Sequence, residues 1–184
     1  MSHVLSMLGG KLCYFDGAMG TILQSKGLQP GELPELWNLS HREELVEIHR
    51  SYLSAGADFI KTNTFGANRF KLEGSGYSVE EIVTAGVQNA LKAVVDCGKG
   101  VVFLDIGPTG KLLRPMGELA FEDAVSAFRE MVHAGVMAGA QAILIETMSD
   151  IYEAKAALLA AKEGSDLPVF VTMTFDEDGK LLTG

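Results

Sequence analysis

Apolar positions along this chain follow two alternating rhythms. Short apolar runs, at Lys11–Phe15, Asp58–Asn63, Val101–Ile106, Ala142–Ile145 and Pro168–Thr174, end on polar residues and read as strands. Between them lie longer stretches with helical spacing. Leu45, Val46, Ile48, Tyr52 and Leu53 form one stripe, behind a capping box predicted at Ser40-His-Arg-Glu43. A second capping box, Ser78-Val-Glu-Glu81, opens a helix to about Val95, and a third helix spans roughly Glu122–Ala138. Asp150-Ile-Tyr-Glu153 repeats the cap pattern ahead of an Ala-rich helix to Glu163. Residues 1–10 read as a short leader. The Gly17–Thr21 turn, the stretch through Pro30 and Pro34, the segment from Thr64 to Ala67 and Phe175–Gly179 read as loops and turns.

The order is therefore βαβαβαβαβ, which implies a parallel sheet with right-handed crossovers. The Ala142–Ile145 run is too uniformly apolar for a surface strand and fits burial on both faces. A polar residue stands at each strand tip: Asp16, Asn63, Asp105, Glu146 and Thr174. Recurrent polar tips favour the rim of a barrel over a Rossmann sheet, and Asp16-Gly-Ala-Met-Gly20 lacks the GxGxxG of the latter. Gly107-Pro-Thr-Gly-Lys111 has the wrong spacing for a P-loop. Ala55-Gly-Ala-Asp-Phe-Ile-Lys-Thr-Asn63-Thr64 lines up position for position with Ala138-Gly-Ala-Gln-Ala-Ile-Leu-Ile-Glu146-Thr147, as repeated βα modules would. A (β/α)8 TIM barrel needs about 250 residues, and this chain has 184. The expectation is one α/β domain over residues 1–184, corresponding to about the first five βα units of such a barrel. An open five-stranded sheet is the alternative.

Charge narrows the partners. A net charge of −9 and a pI near 4.9 argue against nucleic acid or an anionic membrane. No basic-then-apolar leader and no run near the ~20 apolar residues of a membrane span is present, so a cytoplasmic protein is expected. Cys13 and Cys97 have no CxxC neighbour and no His at metal spacing, and read as two reduced, buried thiols rather than a metal site.

Five phrases carry a resemblance: Phe15-Asp-Gly-Ala-Met-Gly-Thr21, Thr62-Asn-Thr-Phe-Gly-Ala67, Asp105-Ile-Gly-Pro-Thr-Gly110, Glu146-Thr-Met-Ser-Asp150 and Met173-Thr-Phe-Asp-Glu-Asp-Gly179. In this order they resemble the homocysteine S-methyltransferase domain family, most closely the N-terminal homocysteine-binding domain of cobalamin-dependent methionine synthases. The resemblance implies a (β/α)8 barrel that transfers a methyl group to the sulfur of homocysteine in methionine biosynthesis. It implies zinc held by one cysteine and a later Cys-Cys pair, none of which these residues supply. It also implies cobalamin and methylfolate carried by corrinoid- and folate-binding domains or partner proteins. A relative using a betaine or sulfonium donor, or a non-catalytic binding fragment, are the alternatives.

The same resemblance places Asp16 and Glu146 near the substrate ammonium, where carboxylates would make charge-assisted hydrogen bonds. Gly17, Asn63, Thr64 and Thr147 complete the expected substrate-binding set; no catalytic or metal-binding residue is identifiable. Backbone N–H groups at a helix N-terminus are expected to receive the substrate carboxylate. Asp105 is expected to organise the Gly107-Pro108 turn and Asp150 to cap a helix. His41, His49 and His133 are expected at surface or satisfied helical positions, with Trp37 as a packing anchor. Lys61 shares strand parity with Asn63 and is expected to point inward. A Schiff-base role is its alternative, although its counterpart in the repeat is Leu144.

Overall fold

A computed structural model describes residues 3–10 and 12–182; the start of the first predicted strand, Lys11, and the final Thr183-Gly184 lie outside them. The described residues form α1 (His3–Leu8), α2 (Met19–Ser25), a 3₁₀ turn (Pro34–Leu36), α3 (Trp37–Ser40), α4 (Arg42–Ala55), β1 (Phe59–Lys61), α5 (Val79–Cys97), β2 (Val101–Ile106), α6 (Phe121–Ala138), β3 (Ala142–Met148), α7 (Ile151–Gly164) and β4 (Val169–Met173). The strands pair in parallel in the order β1-β2-β3-β4. Each crossover runs through a helix, as the alternating pattern predicts.

Parity separates the two faces of the sheet. Ile60, Val102, Ile106, Ile143 and Ile145 pack outward against the helices, together with Phe128, Met131 and the alanines of α7. Phe59, Val101, Phe103, Ala142 and Leu144 form the concave face, with Val4 of α1 and partly buried Met7, Cys13 and Phe170 packed against them. Phe103 is the hub, with ring centroids 5.0 Å from Phe59, 4.8 Å from Phe15 and 5.3 Å from Phe170. Edge and tilted geometries suit the aromatic quadrupole, and the cluster forms an apolar floor. One inward step further along the strands stand Lys61, Asp105 and Glu146.

Several expectations need correction. The first predicted strand is reduced to a single bridge between Phe15 and Phe59. Aspartate side chains replace the ladder on either side: Asp58 accepts from Tyr14 N, and Asp16 from Lys61 N, both at 3.0 Å. The predicted leader and loop contain α1, α2, the 3₁₀ turn and α3. No capping box forms at Ser40, which is the last residue of α3. Its hydroxyl turns back to Leu36 O and lies 2.8 Å from His41 Nδ1. The Ser78–Glu81 box does form. Asp150 caps α7 through Tyr152 N, but Glu153 is not its reciprocal partner and accepts from Thr109 instead. β3 continues beyond Ile145 to Met148, with the register broken between those two residues. Neither cysteine forms a disulfide among the described residues, and both are only partly buried. His49 is 0% exposed with neither ring nitrogen partnered, so it is neither at the surface nor satisfied. Trp37 is the expected anchor, buried and stacked on His41 at 3.9 Å.

Candidate functional site

The charged layer sits where the strands run out, the end at which α/β barrels assemble their sites. A cavity of about 310 Å³ opens there, lined among others by Asp16, Gly17, Lys61, Asn63, Asp105 and Glu146. A larger cavity of about 660 Å³ lies away from it, between the Arg69–Glu80 segment and α6. Arg69 on its wall pairs with Glu130 and Ser126.

Asp16 follows the Phe15–Phe59 bridge. Its Oδ2 accepts from Lys61 N, while Oδ1 is buried without a partner. Burial is the main cause that pushes its carboxyl up to about 6, opposed by the Lys61 N–H and ammonium. Glu146 keeps the inward parity of Ala142 and Leu144. Both its oxygens lie 3.2 Å from Lys61 Nζ. Asp105, from the fully buried β2, leaves Oδ1 unpartnered. Burial first, and then the Glu146 charge, push its carboxyl well above the usual range and favour its protonated form. Burial alone would lower Lys61, but the carboxyl groups of Asp105, Glu146 and Asp16 around it outweigh that and raise the ammonium above its ordinary value. A Schiff-base lysine needs a neutral amine, and this surrounding opposes one.

The site therefore gathers three carboxyl groups around one ammonium, with two buried carboxyl oxygens free to accept hydrogen bonds. Such a set receives a cationic donor group readily and repels an isolated anion. Asp105, expected to organise the Gly107-Pro108 turn, lines this cavity. The Gly107–Gly110 loop is held instead by Glu153, which accepts from Thr109 N at 2.8 Å and from its hydroxyl at 2.5 Å.

The predicted set is brought together only in part. Asp16, Gly17, Asn63 and Glu146 line the cavity; Thr64 and Thr147 do not. Asn63 spends its amide on Pro34 O, at 2.8 Å. Thr64 is 0% exposed, and its hydroxyl donates to Asp105 O at 2.7 Å. Thr62 Oγ1 accepts from Asp105 N at 3.0 Å, so its proton is left for Thr64 Oγ1, 2.6 Å away. These threonines tie β1 to β2. Thr147 is exposed at φ 61°, and its N–H donates to Thr172 Oγ1. Gly17 lies so close to Tyr52 that a Cβ would stand 2.8 Å from the phenol oxygen.

Sequence reasoning missed Glu35. It is buried at the cavity wall, with Oε1 accepting from Gly66 N at 2.6 Å. Its loop has no periodicity, so no local signal marks it. It also missed the Lys61–Glu146 pair, for which strand parity was the available signal.

Metal binding was tested on the donor set. Among the described residues no group of three or more His, Cys, Asp or Glu is placed to hold an ion. Cys13 packs toward Met7 below the aromatic floor, and Cys97 ends α5. No thiolate or imidazole lines the cavity. These residues do not fit a zinc site of thiolate ligands.

The family model described as homocysteine S-methyltransferase matches residues 13–184. Methionine synthase of Mycobacterium tuberculosis (strain ATCC 25618 / H37Rv) is 31% identical across 100% of this chain and 17% of its own length. Methionine synthase of Mycobacterium leprae (strain TN) is 30% identical across 100% of this chain and 16% of its own length. The chain thus spans about a sixth of the length of these curated relatives. Among solved structures, the oxidized form of the homocysteine methyltransferase MmuM from Escherichia coli aligns with a TM-score of 0.82 and 22% identity, covering 97% of this chain and 68% of that one. Its metallated form gives a TM-score of 0.79 at 22% identity, covering 96% of this chain and 70% of that one. At that identity the likeness shows the fold, an α/β arrangement common to part of a barrel.

Proposed function

Because the chain belongs to the homocysteine S-methyltransferase family, we propose that it forms the part of a methionine-synthase-like methyltransferase that grips the amino-acid end of homocysteine. The observation that carries this reading is that Asp16, Asp105 and Glu146 line one cavity, and that Asp16 and Asp105 each keep a buried carboxyl oxygen, Oδ1, without a partner. An ammonium brings three N–H donors, and this arrangement offers acceptors for them. Asp16 and Glu146 supply charge; Asp105 supplies a further lone pair. Asn63 and Gly17 shape the wall, and Thr64 and Thr147 serve the frame. Phe15 and the aromatic floor bound the site below.

Methyl transfer to sulfur requires a thiolate, and a free thiol near pKa ~8.5 is only slightly ionised at neutral pH. A zinc ion would supply that activation in the family, but no thiolate or imidazole lines this cavity, so these residues are assigned to binding and orientation. Cobalamin and methylfolate are assigned to other domains, for which the much greater length of the curated relatives leaves room. A cytoplasmic setting accords with the finding that no helix among the described residues is long and apolar enough to cross a membrane.

The test is calorimetric titration of the chain with L-homocysteine. Glu146→Gln removes a charge-assisted partner worth roughly 1.5–3 kcal/mol and should weaken binding by about 10- to 100-fold. Wild-type affinity should also fall as pH drops through about 6, because protonation removes the Asp16 charge. Unchanged affinity in Glu146→Gln would remove Glu146 from the ligand set.

A further inference from the structure

Lys61 is the one feature of the cavity that an ammonium-binding site does not need. It brings a cation to the place where a cationic ligand is expected, and its Nζ spans both Glu146 oxygens at 3.2 Å each. The two side chains are similarly sheltered, at 22% and 20% exposure. Lys61 stands at the end of β1, two strands across the sheet from Glu146 on β3, with its own N–H anchored on Asp16. Its backbone is fixed while four rotatable bonds let the ammonium swing.

We propose that Lys61 is a specificity-determining residue that holds Glu146 while the site is empty and moves onto the ligand carboxylate when an α-amino acid enters. The inference rests on the homocysteine reading and adds to it the half of the zwitterion that the three carboxyl groups cannot bind. An anion facing Asp16 and Glu146 is repelled unless a cation accompanies it. Lys61 is the only cation lining this cavity among the described residues.

The exchange balances charge. In the empty site Lys61 pairs with Glu146. In the filled site the ligand ammonium takes Glu146, and the displaced Lys61 takes the ligand carboxylate. Two ion pairs replace one, and no charge is stranded in a half-buried place, where an uncompensated ion is costly. A ligand with an amine and no carboxylate would displace Lys61 without offering it a partner. The site should therefore prefer a zwitterionic amino acid over its decarboxylated analogue, with Lys61 as the source of that preference.

The test compares L-homocysteine with 3-aminopropane-1-thiol, which lacks only the carboxylate, by calorimetric titration of the full chain. Wild type should prefer L-homocysteine by tenfold or more. Lys61→Met should lose most of that preference by weakening L-homocysteine at least tenfold while 3-aminopropane-1-thiol binds as well as before or more tightly. Lys61→Arg should restore the preference. Two outcomes overturn the inference: equal weakening of both ligands in Lys61→Met, which marks a structural role, or tightening of both, which marks Lys61 as a mere competitor for Glu146. If wild type binds neither thiol, the homocysteine reading itself fails and this inference falls with it.

Discussion

Ala55–Thr64 and Ala138–Thr147 share a phrase and begin alike, yet they contribute different things to the site. In both, a helix ends on a glycine with positive φ, Gly56 at 111° and Gly139 at 101°. Both then enter a buried parallel strand. The tips diverge. β1 stops at Lys61 because Asp16 takes the next ladder position. β3 runs on to Met148 through a break in register. Alignment of the repeat equates Asn63 with Glu146, but the group that meets Glu146 in space is Lys61, whose counterpart is the apolar Leu144. A repeated module preserves the direction of the strand; the chemistry is set by which inward position carries charge and by what the neighbouring loop does to it.

The largest expected effect comes from extending the repeat six residues upstream of its shared alanines. His49 of α4 then corresponds to Val132 of α6, and both are 0% exposed. Burial lowers the His49 pKa from 6.5 to about 4. Above the higher value both folded and unfolded states are neutral. Between the two values the unfolded chain binds a proton that the native state refuses, so acidification favours unfolding. The loss should reach about 3 kcal/mol near the lower value, at 1.36 kcal/mol per pKa unit. His49→Val should abolish this acid-sensitive component and hold or raise stability at neutral pH. Asp16 and Asp105 titrate with the opposite sign, since a raised carboxyl pKa stabilises the native state toward acid, but they are common to both proteins and cancel in the difference. Denaturant melts of the two proteins across this range measure it; parallel pH profiles would show that His49 gains its proton without opening the fold.

His49 also shows where sequence reading stops. It falls among Leu45, Ile48 and Leu53 on the buried side of α4, and a polar residue within such a stripe does not declare whether it turns to solvent. Runs and periodicity revealed the parallel α/β order, and parity revealed that Lys61 points inward. Glu146 and Asp16 were legible as carboxylates at strand tips. The first strand was overestimated because propensity cannot foresee Asp58 and Asp16 side chains replacing ladder partners. The Ser40 box failed because α3 precedes α4 and claims that serine as its end. Asp105 was read as a turn residue because its neighbours in the site come from β1, β3 and the Asp16 turn, all distant in sequence.

The next comparison separates Asn63 from Glu146. Asn63→Ala removes a partly buried bond to Pro34 O and should cost about 1–3 kcal/mol of stability. It leaves the Lys61–Glu146 pair in place, so L-homocysteine affinity should change far less than in Glu146→Gln. Paired denaturation and titration experiments decide the matter. An Asn63→Ala protein of normal stability with strongly reduced affinity would return Asn63 to the ligand set.

The smallest effect sits at the last residue of each phrase. Thr64 and Thr147 are equivalent in the repeat, yet only Thr147 has positive φ, at 61°. That conformation costs an L-residue roughly 1–2 kcal/mol, whereas glycine adopts it freely. Glycine also loses about 0.5–1 kcal/mol through its larger unfolded-state entropy. Thr147→Gly should therefore stabilise the chain slightly, by about 0.5 kcal/mol. The Thr147 N–H bond to Thr172 survives the substitution, so the bulge and the aim of Glu146 should persist and L-homocysteine affinity should hold. Thr64→Gly should do the reverse, because its buried hydroxyl bonds Asp105 O and its methyl lies against Gly86, where a Cβ would approach within 2.7 Å. Opposite signs from one substitution at matched positions would show that the two tips diverged in backbone as well as in side chain. Matching losses would mean that Thr147 makes contacts whose value exceeds its strain.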